Sequence, residues 1–222
     1  MPLGFDDAAR AELAAGGRRV AQAGLVVGSA GNLSLRSDDR VLISRRGVEL
    51  DAMGPWDCVE VGLDGEVAAD DDGRPSRPSS ELPLHVAIYR ATDAGAIVHT
   101  HSHYATVLGT ITGELPAVHY TINQFGGPIR VARYECFGTE ELATSVIQAL
   151  QDRSGALMAN HGSVVIAADI ERATSKAILL EWLASVYYHA MLGGRPNILG
   201  ESELDAVRER VRQLDYAGKA QR

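Results

Sequence analysis

One short segment, AIVHTHSH at residues 96–103, constrains this chain more than any other. Three apolar residues run straight into two histidines spaced two apart. On a strand, residues two apart share a face, so His99 and His101 point together while Thr100 faces away. The apolar lead fits a strand that enters a core and delivers two imidazoles at its end. An HxH pair also occurs as two histidines of no special role, so a third group must come from elsewhere to give the pair a meaning.

The rest of the chain supplies strands and helices around that strand. Residues 6–23 read as a helix with Asp6 or Asp7 as cap. Residues 24–36 pass into alternation, with Leu33 and Leu35 apolar and Ser34 and Arg36 polar, which is strand-like. Residues 41–44 pair with it across a Ser-Asp-Asp turn, and residues 58–68 form a hairpin turned by Asp64-Gly65. Residues 68–80, rich in Asp, Gly, Pro and Ser, read as a surface loop. A helix over 80–92 is expected, capped by Ser79 or Ser80, with Pro83 in its first turn. Further helices are expected near 103–109, 139–151, 169–192 and 202–213, and strands at 155–159 and 163–167. This interspersion implies an α/β layered fold in one domain spanning residues 1–222. GSAGN is not a GxGxxG fingerprint, so nothing supports a dinucleotide site.

Composition excludes several classes. The 222 residues are 45% hydrophobic and 23% charged, enough to bury a core. Twenty-nine acids against 21 Lys and Arg give a net charge of -8, which argues against a nucleic-acid partner. Cys58 and Cys136 are far apart and make neither a disulfide framework nor a thiolate zinc site. No apolar run approaches the roughly 20 residues of a membrane span. The expected location is the cytoplasm.

Imidazole nitrogens suit a divalent transition metal, zinc above all. A catalytic zinc site usually takes three protein ligands. His161 lies in Asn-His-Gly between two apolar runs, where it can reach inward; it can equally be a turn histidine bonded to backbone. His85, four residues after Glu81 on one helix face, makes a rival pair with that acid, although a structural role suits it better. His103 follows Ser102, a helix cap that turns it off the strand face. His119 is ambiguous, and His189 reads as packing or surface. Glu81 follows two serines at a helix start, where an acid is favoured by the helix dipole. The same place offers an anion site with a carboxylate beside it.

Taken together, GSAGNLSLR (28–36), LIS and GV (42–48), RPSSELPLHVAIYR (77–90), AIVHTHSHYAT (96–106), PAVHY (116–120), FGTEEL (137–142) and NHG (160–162) resemble the class II aldolase/adducin family. The pattern is that of its L-fuculose-phosphate aldolases, and it runs in order over residues 8–216. The resemblance implies a three-layer α/β/α sandwich around a mainly antiparallel sheet. It also implies a homotetramer with active sites between subunits. It implies zinc, or another divalent transition metal, on His99, His101 and His161. Glu81 would be the acid/base and a ligand of the empty metal. The substrate would be a phosphorylated sugar, its phosphate held at positions matching Gly31, Asn32, Gly47, Ser79 and Ser80.

The reaction implied is metal-assisted cleavage of a ketose 1-phosphate to dihydroxyacetone phosphate and an aldehyde. Tyr120 and Tyr216 are the phenols for the aldehyde-oxygen proton, reaching a neighbouring subunit's site. The chain departs from the family where Ser44-Arg45-Arg46-Gly47 replaces Thr-Pro-Ser/Thr-Gly. Arg46 either grips the phosphate or another acid, or points to solvent. The alternatives within the family are an epimerase, a dehydratase or a decarboxylase. Outside catalysis the alternative is an adducin-like interaction module. The segment PAVHYTINQFGG is short and lacks a carboxylate, which favours the aldolase over the epimerase.

Overall fold

The computed structural model describes residues 4–67 and 76–214. Helix α1 (Asp7–Gln22) starts where the side chain of Asp6 accepts the amide of Ala9 at 2.9 Å. Strand β1 (Asn32–Ser37) turns through Asp38, at φ 52°, into β2 (Arg40–Ser44), and β3 (Cys58–Gly62) pairs with β2. Then come α2 (Leu82–Ala91), β4 (Ala96–Thr100) and α3 (His103–Ile111). Next are β5 (Glu114–Leu115), β6 (Ile129–Ala132) and α4 (Glu140–Ala149). The chain continues through β7 (Gly155–Met158), β8 (Gly162–Ala167), α5 (Ile170–Gly193) and α6 (Glu201–Gln213).

The sheet order is β3-β2-β1-β4-β8-β7-β6-β5, with β6 and β7 the parallel pair and the other described pairings antiparallel. One apolar layer joins Leu33, Leu35, Ala96 and Val98 to α1, α3 and α5; the other joins Val41, Ile43, Ile97 and Val164 to α2 and α4. The result is the expected three-layer α/β/α sandwich. Among the described residues no helix is long and apolar enough to cross a membrane.

Two expectations need correction. Strands β5 and β6 and the 3₁₀ turn at Tyr120–Phe125 lie between the helices expected near 103–109 and 139–151, where the sequence reading placed no element. Strand β6 is four residues long and follows Gly126-Gly127-Pro128, so its β-branched alternation is too brief to stand out. The start of α2 differs as well. Glu81, not a serine, occupies the N-cap position, and its carboxylate caps nothing. Ser79 Oγ instead accepts the amide of Glu81 at 3.2 Å. The carboxylate is thereby free to turn away from the helix axis.

Strand alternation decides what that carboxylate meets. Along β4, Ala96 and Val98 face α1 and α5, whereas Ile97 faces α2 and α4. His99 follows Ile97 onto the α2 side. Asn32 sits opposite His99 in the β1–β4 register, and Val164 opposite it in the β4–β8 register.

Candidate metal centre and substrate cavity

Three imidazoles from two chain segments converge beside one carboxylate. The ring centroids of His99, His101 and His161 lie 4.9, 4.9 and 4.7 Å apart, each pair edge to face. Glu81 Oε2 is 2.8 Å from His99 Nε2, and Glu81 Oε1 is 3.5 Å from His161 Nε2. One ligand atom from each of the four residues falls within 4.8 Å of all the others.

Each side chain is aimed by its element. His99 Nδ1–H donates to Ser163 O at 2.9 Å, so its Nε2 faces the cluster. Such a backbone anchor on the far nitrogen is the usual companion of a metal-ligating histidine. His101 follows the last residue of β4, where α3 begins. The oxygens of Glu181 from α5 accept the amides of Tyr104 and Ala105 at 2.7 and 2.9 Å, which pins that turn. The expected cap Ser102 makes no such bond. Asn160, at φ 54°, turns the chain between β7 and β8 and swings His161 inward. His103 is exposed at the start of α3, His85 bonds Asn32 instead of joining the cluster, and neither belongs to the four.

The electrostatics are those of a desolvated, closely packed group. Burial would raise the Glu81 carboxyl, but His99, then His161 and Asn32, hold it below the usual range. Burial would lower His99, but Glu81 beside it overrides this and raises it. Burial, and then the charge of His99, bring His101 and His161 down to about 4. Both are therefore neutral near pH 7, the form that binds a cation. Glu81 Oε1 is buried and has no hydrogen-bond partner. An orphaned carboxylate oxygen facing three imidazoles is a donor set that a divalent ion completes.

The cluster opens into a cavity of about 360 Å³. All six residues expected at the phosphate line it: Gly31, Asn32, Arg46, Gly47, Ser79 and Ser80. Two backbone bonds build this wall by tying the loop after β2 to the segment before α2. Ser79 N donates to Ser44 O at 3.0 Å, and Arg46 N donates to Arg77 O at 2.9 Å. Gly31 and Gly47 have φ of 99° and 77°, a region that favours glycine. A Cβ on Gly31 would also stand 3.1 Å from His99 O.

The cavity is also lined by Tyr134 and Glu135, which sequence reasoning missed, and by Phe137, which it quoted only within FGTEEL and gave no site role. Tyr134 and Phe137 are 60% and 63% exposed, an apolar surface open to whatever fills the cavity. Tyr134 carried no sequence signal beyond being an aromatic in a loop before a helix. Tyr120 does not line the cavity of its own chain; it stacks on His119, centroids 4.4 Å apart, and is half exposed. Tyr216 lies outside the described residues.

Residues 11–188 match the family model described as class II aldolase and adducin N-terminal domain. The chain is 39% identical over 199 residues to a 5-deoxy-D-ribulose 1-phosphate aldolase of Bacillus thuringiensis, covering 88% of this chain and 92% of that protein. It is 35% identical over 206 residues to a 5-methylthioribulose-1-phosphate/5-deoxyribulose-1-phosphate aldolase of Rhodospirillum rubrum, covering 92% and 90% of the two. A solved L-fuculose 1-phosphate aldolase superimposes with a TM-score of 0.87 at 31% identity, covering 94% of this chain and 98% of that one.

Proposed function

Because the chain belongs to the class II aldolase and adducin family, we propose that it cleaves a 5-deoxypentulose 1-phosphate to dihydroxyacetone phosphate and acetaldehyde. The observation that carries this reading is Glu81 Oε1, buried and unpartnered among three imidazoles at the head of a cavity. That arrangement suits a reaction needing both a Lewis acid and a mobile proton. The two relatives named for 5-deoxyribulose 1-phosphate move the proposed substrate from the six-carbon fuculose phosphate to a five-carbon ketose.

His99, His101 and His161 would hold a divalent ion, with Glu81 as a fourth ligand before substrate arrives. A set of neutral imidazoles favours zinc. When bound, the ion supplies Lewis acidity for the negative charge that develops at the ketose carbonyl oxygen. Glu81, a carboxylate at rest, carries the proton to C3: it takes up the proton released from the C4 hydroxyl, and as the C3–C4 bond breaks its electron pair moves toward C3 and the carbonyl and C3 receives that proton. The C4 hydroxyl proton leaves through a phenol, which takes it up as it gives its own proton on toward the Glu81 carboxylate; Tyr120 and Tyr216 of a neighbouring subunit are proposed for this relay, in a homotetramer. Ser79, Ser80, Asn32 and the Gly31 and Gly47 turns orient the phosphate. Arg46 adds a cation that a neutral hydroxyl lacks. The rings of Tyr134 and Phe137 offer apolar contact to the methyl end.

The test is product analysis. Metal-loaded protein is given 5-deoxyribulose 1-phosphate and, in parallel, L-fuculose 1-phosphate, and dihydroxyacetone phosphate is read by a coupled NADH assay. Equal amounts of dihydroxyacetone phosphate and acetaldehyde are expected, with the five-carbon ketose cleaved faster. A single rearranged sugar phosphate, or release of water or carbon dioxide, overturns the proposal.

A further inference from the structure

A line of hydrogen bonds runs from Glu81 into the core on the α2 side of the sheet. Asn32 Nδ2 donates to Glu81 Oε2 at 3.0 Å. Asn32 Oδ1 is 2.5 Å from His85 Nε2, and His85 Nδ1 is 2.6 Å from Ser34 Oγ. Ser34 Oγ is in turn 2.8 Å from the Tyr89 hydroxyl. Ser34 and His85 are 0% exposed, Tyr89 1%, and Asn32 6%. The line arises from two periodicities. Asn32 and Ser34 are two apart on β1, and Glu81, His85 and Tyr89 are four apart along α2.

Every proton in this line is fixed from its outer end. A carboxylate oxygen accepts, so the amide nitrogen of Asn32 faces Glu81 Oε2. The amide oxygen then faces His85, whose Nε2 must carry the hydrogen. With Nε2 donating to Asn32, the buried ring leaves Nδ1, 2.6 Å from the Ser34 hydroxyl, as its acceptor. Ser34 donates to that nitrogen and accepts from Tyr89, whose phenol burial keeps protonated. With Asn32 flipped, its oxygen would oppose a carboxylate oxygen, and its NH₂ would meet a His85 nitrogen already bearing hydrogen. One amide orientation is therefore held by His85, whose side chain bonds Asn32 and Ser34 and does not line the cavity.

We propose that His85, oriented by Ser34 and Tyr89, is a positioning residue that locks Asn32 and through it aims the Glu81 carboxylate. The proposal rests on the aldolase reading only for what Glu81 does once aimed. It gives Asn32 a role beyond the phosphate wall, because one amide hydrogen is committed to Glu81. Since Oε2 is held, Oε1 is the oxygen left for the proton.

Two measurements test this. In metal-free protein with ¹⁵N-labelled histidine at pH 7.5, long-range ¹H–¹⁵N correlation reads the His85 tautomer; a neutral ring protonated at Nε2 is expected. A proton on Nδ1, or on both nitrogens, overturns the proposal. The second measurement is a double-mutant cycle on kcat with His85→Leu and Asn32→Ala. Each single variant is expected to lower kcat about 100-fold, the scale of a roughly 1 Å misplacement, while in His85→Leu KM and metal content stay within about twofold. The double variant should lose no more than Asn32→Ala alone, because both act on one carboxylate. Multiplying losses, or a loss confined to KM in His85→Leu, overturns it. If wild-type protein cleaves no ketose phosphate yet shows the stated tautomer, the proposed reaction fails and the hold on Asn32 stands. The reverse pair of results removes the relay alone. Should His85→Leu fail to fold, the tautomer still decides.

Discussion

Gly162→Ala isolates how closely β8 must approach the strand that carries the histidines. A Cβ at this position would stand 2.1 Å from Thr100 O and 3.1 Å from His101 Cα. Both belong to backbone and cannot rotate aside. The 3.0 Å floor for real Cβ contacts is missed by about 0.9 Å, so the two segments must part by nearly that much. Gly162 is outside the positive-φ glycines, so alanine is allowed by its backbone and the effect is one of contact. Overpacking of this kind costs about 1–3 kcal/mol. A strained end of the β4–β8 ladder adds about 1 kcal/mol per lost hydrogen bond. The larger consequence is local, because His161 immediately precedes the glycine and His101 lies across the gap. Ligand distances tolerate only about 0.2 Å, so zinc affinity should fall by roughly 10- to 100-fold or more. The assay is chelator competition for Zn²⁺ with a urea melt in parallel. Gly113→Ala, with nothing within 4 Å of its Cβ, is the control. Wild-type zinc affinity in Gly162→Ala would refute the reasoning.

Three further expectations follow from the site. Glu81→Gln should keep its metal and lose turnover, whereas His99→Ala should lose both; metal analysis with an aldol-cleavage assay reads each. Arg46→Ser should raise KM for the phosphorylated ketose about 10- to 100-fold, the equivalent of a charge-assisted hydrogen bond, and leave kcat nearly unchanged, as steady-state kinetics will show. The stability of metal-free protein should fall on acidification. His85 binds its proton at about pH 3 when folded, against 6.5 as a free side chain, so its contribution is full above 6.5 and is lost as pH drops toward 3. The slope due to His85 is about 1.4 kcal/mol per pH unit, and urea titrations should show it reduced in His85→Leu.

What was legible in the sequence depended on local pattern. His99 and His101 stood out because strand alternation places both on one face. His161 stood out because it interrupts two apolar runs. Glu81 was visible at a helix start, though the serines before it looked like the cap. The line behind Glu81 was not visible. Ser34 read as the polar face of a half-exposed strand, yet α2 covers that face and leaves Ser34 wholly buried. His85 and Tyr89 gain meaning only once α2 lies over β1, a juxtaposition no local pattern announces. Arg46 was singled out as a departure from the family pattern, and its place on the cavity wall makes its side chain a testable contact. Tyr134 went unnoticed, and Phe137 was quoted only as part of FGTEEL, because a loop aromatic carries no periodicity.

The sheet order has a consequence for synthesis. Strand β4 lies between β1, made long before it, and β8, which begins at Gly162. At about 5–20 residues per second on the ribosome, β4 waits several seconds for its second neighbour. During that interval the nascent chain displays AIVHT with one unpaired edge, an apolar strand open to other chains. A chaperone that shields this edge until residue 167 has emerged would protect the chain at its most adhesive moment.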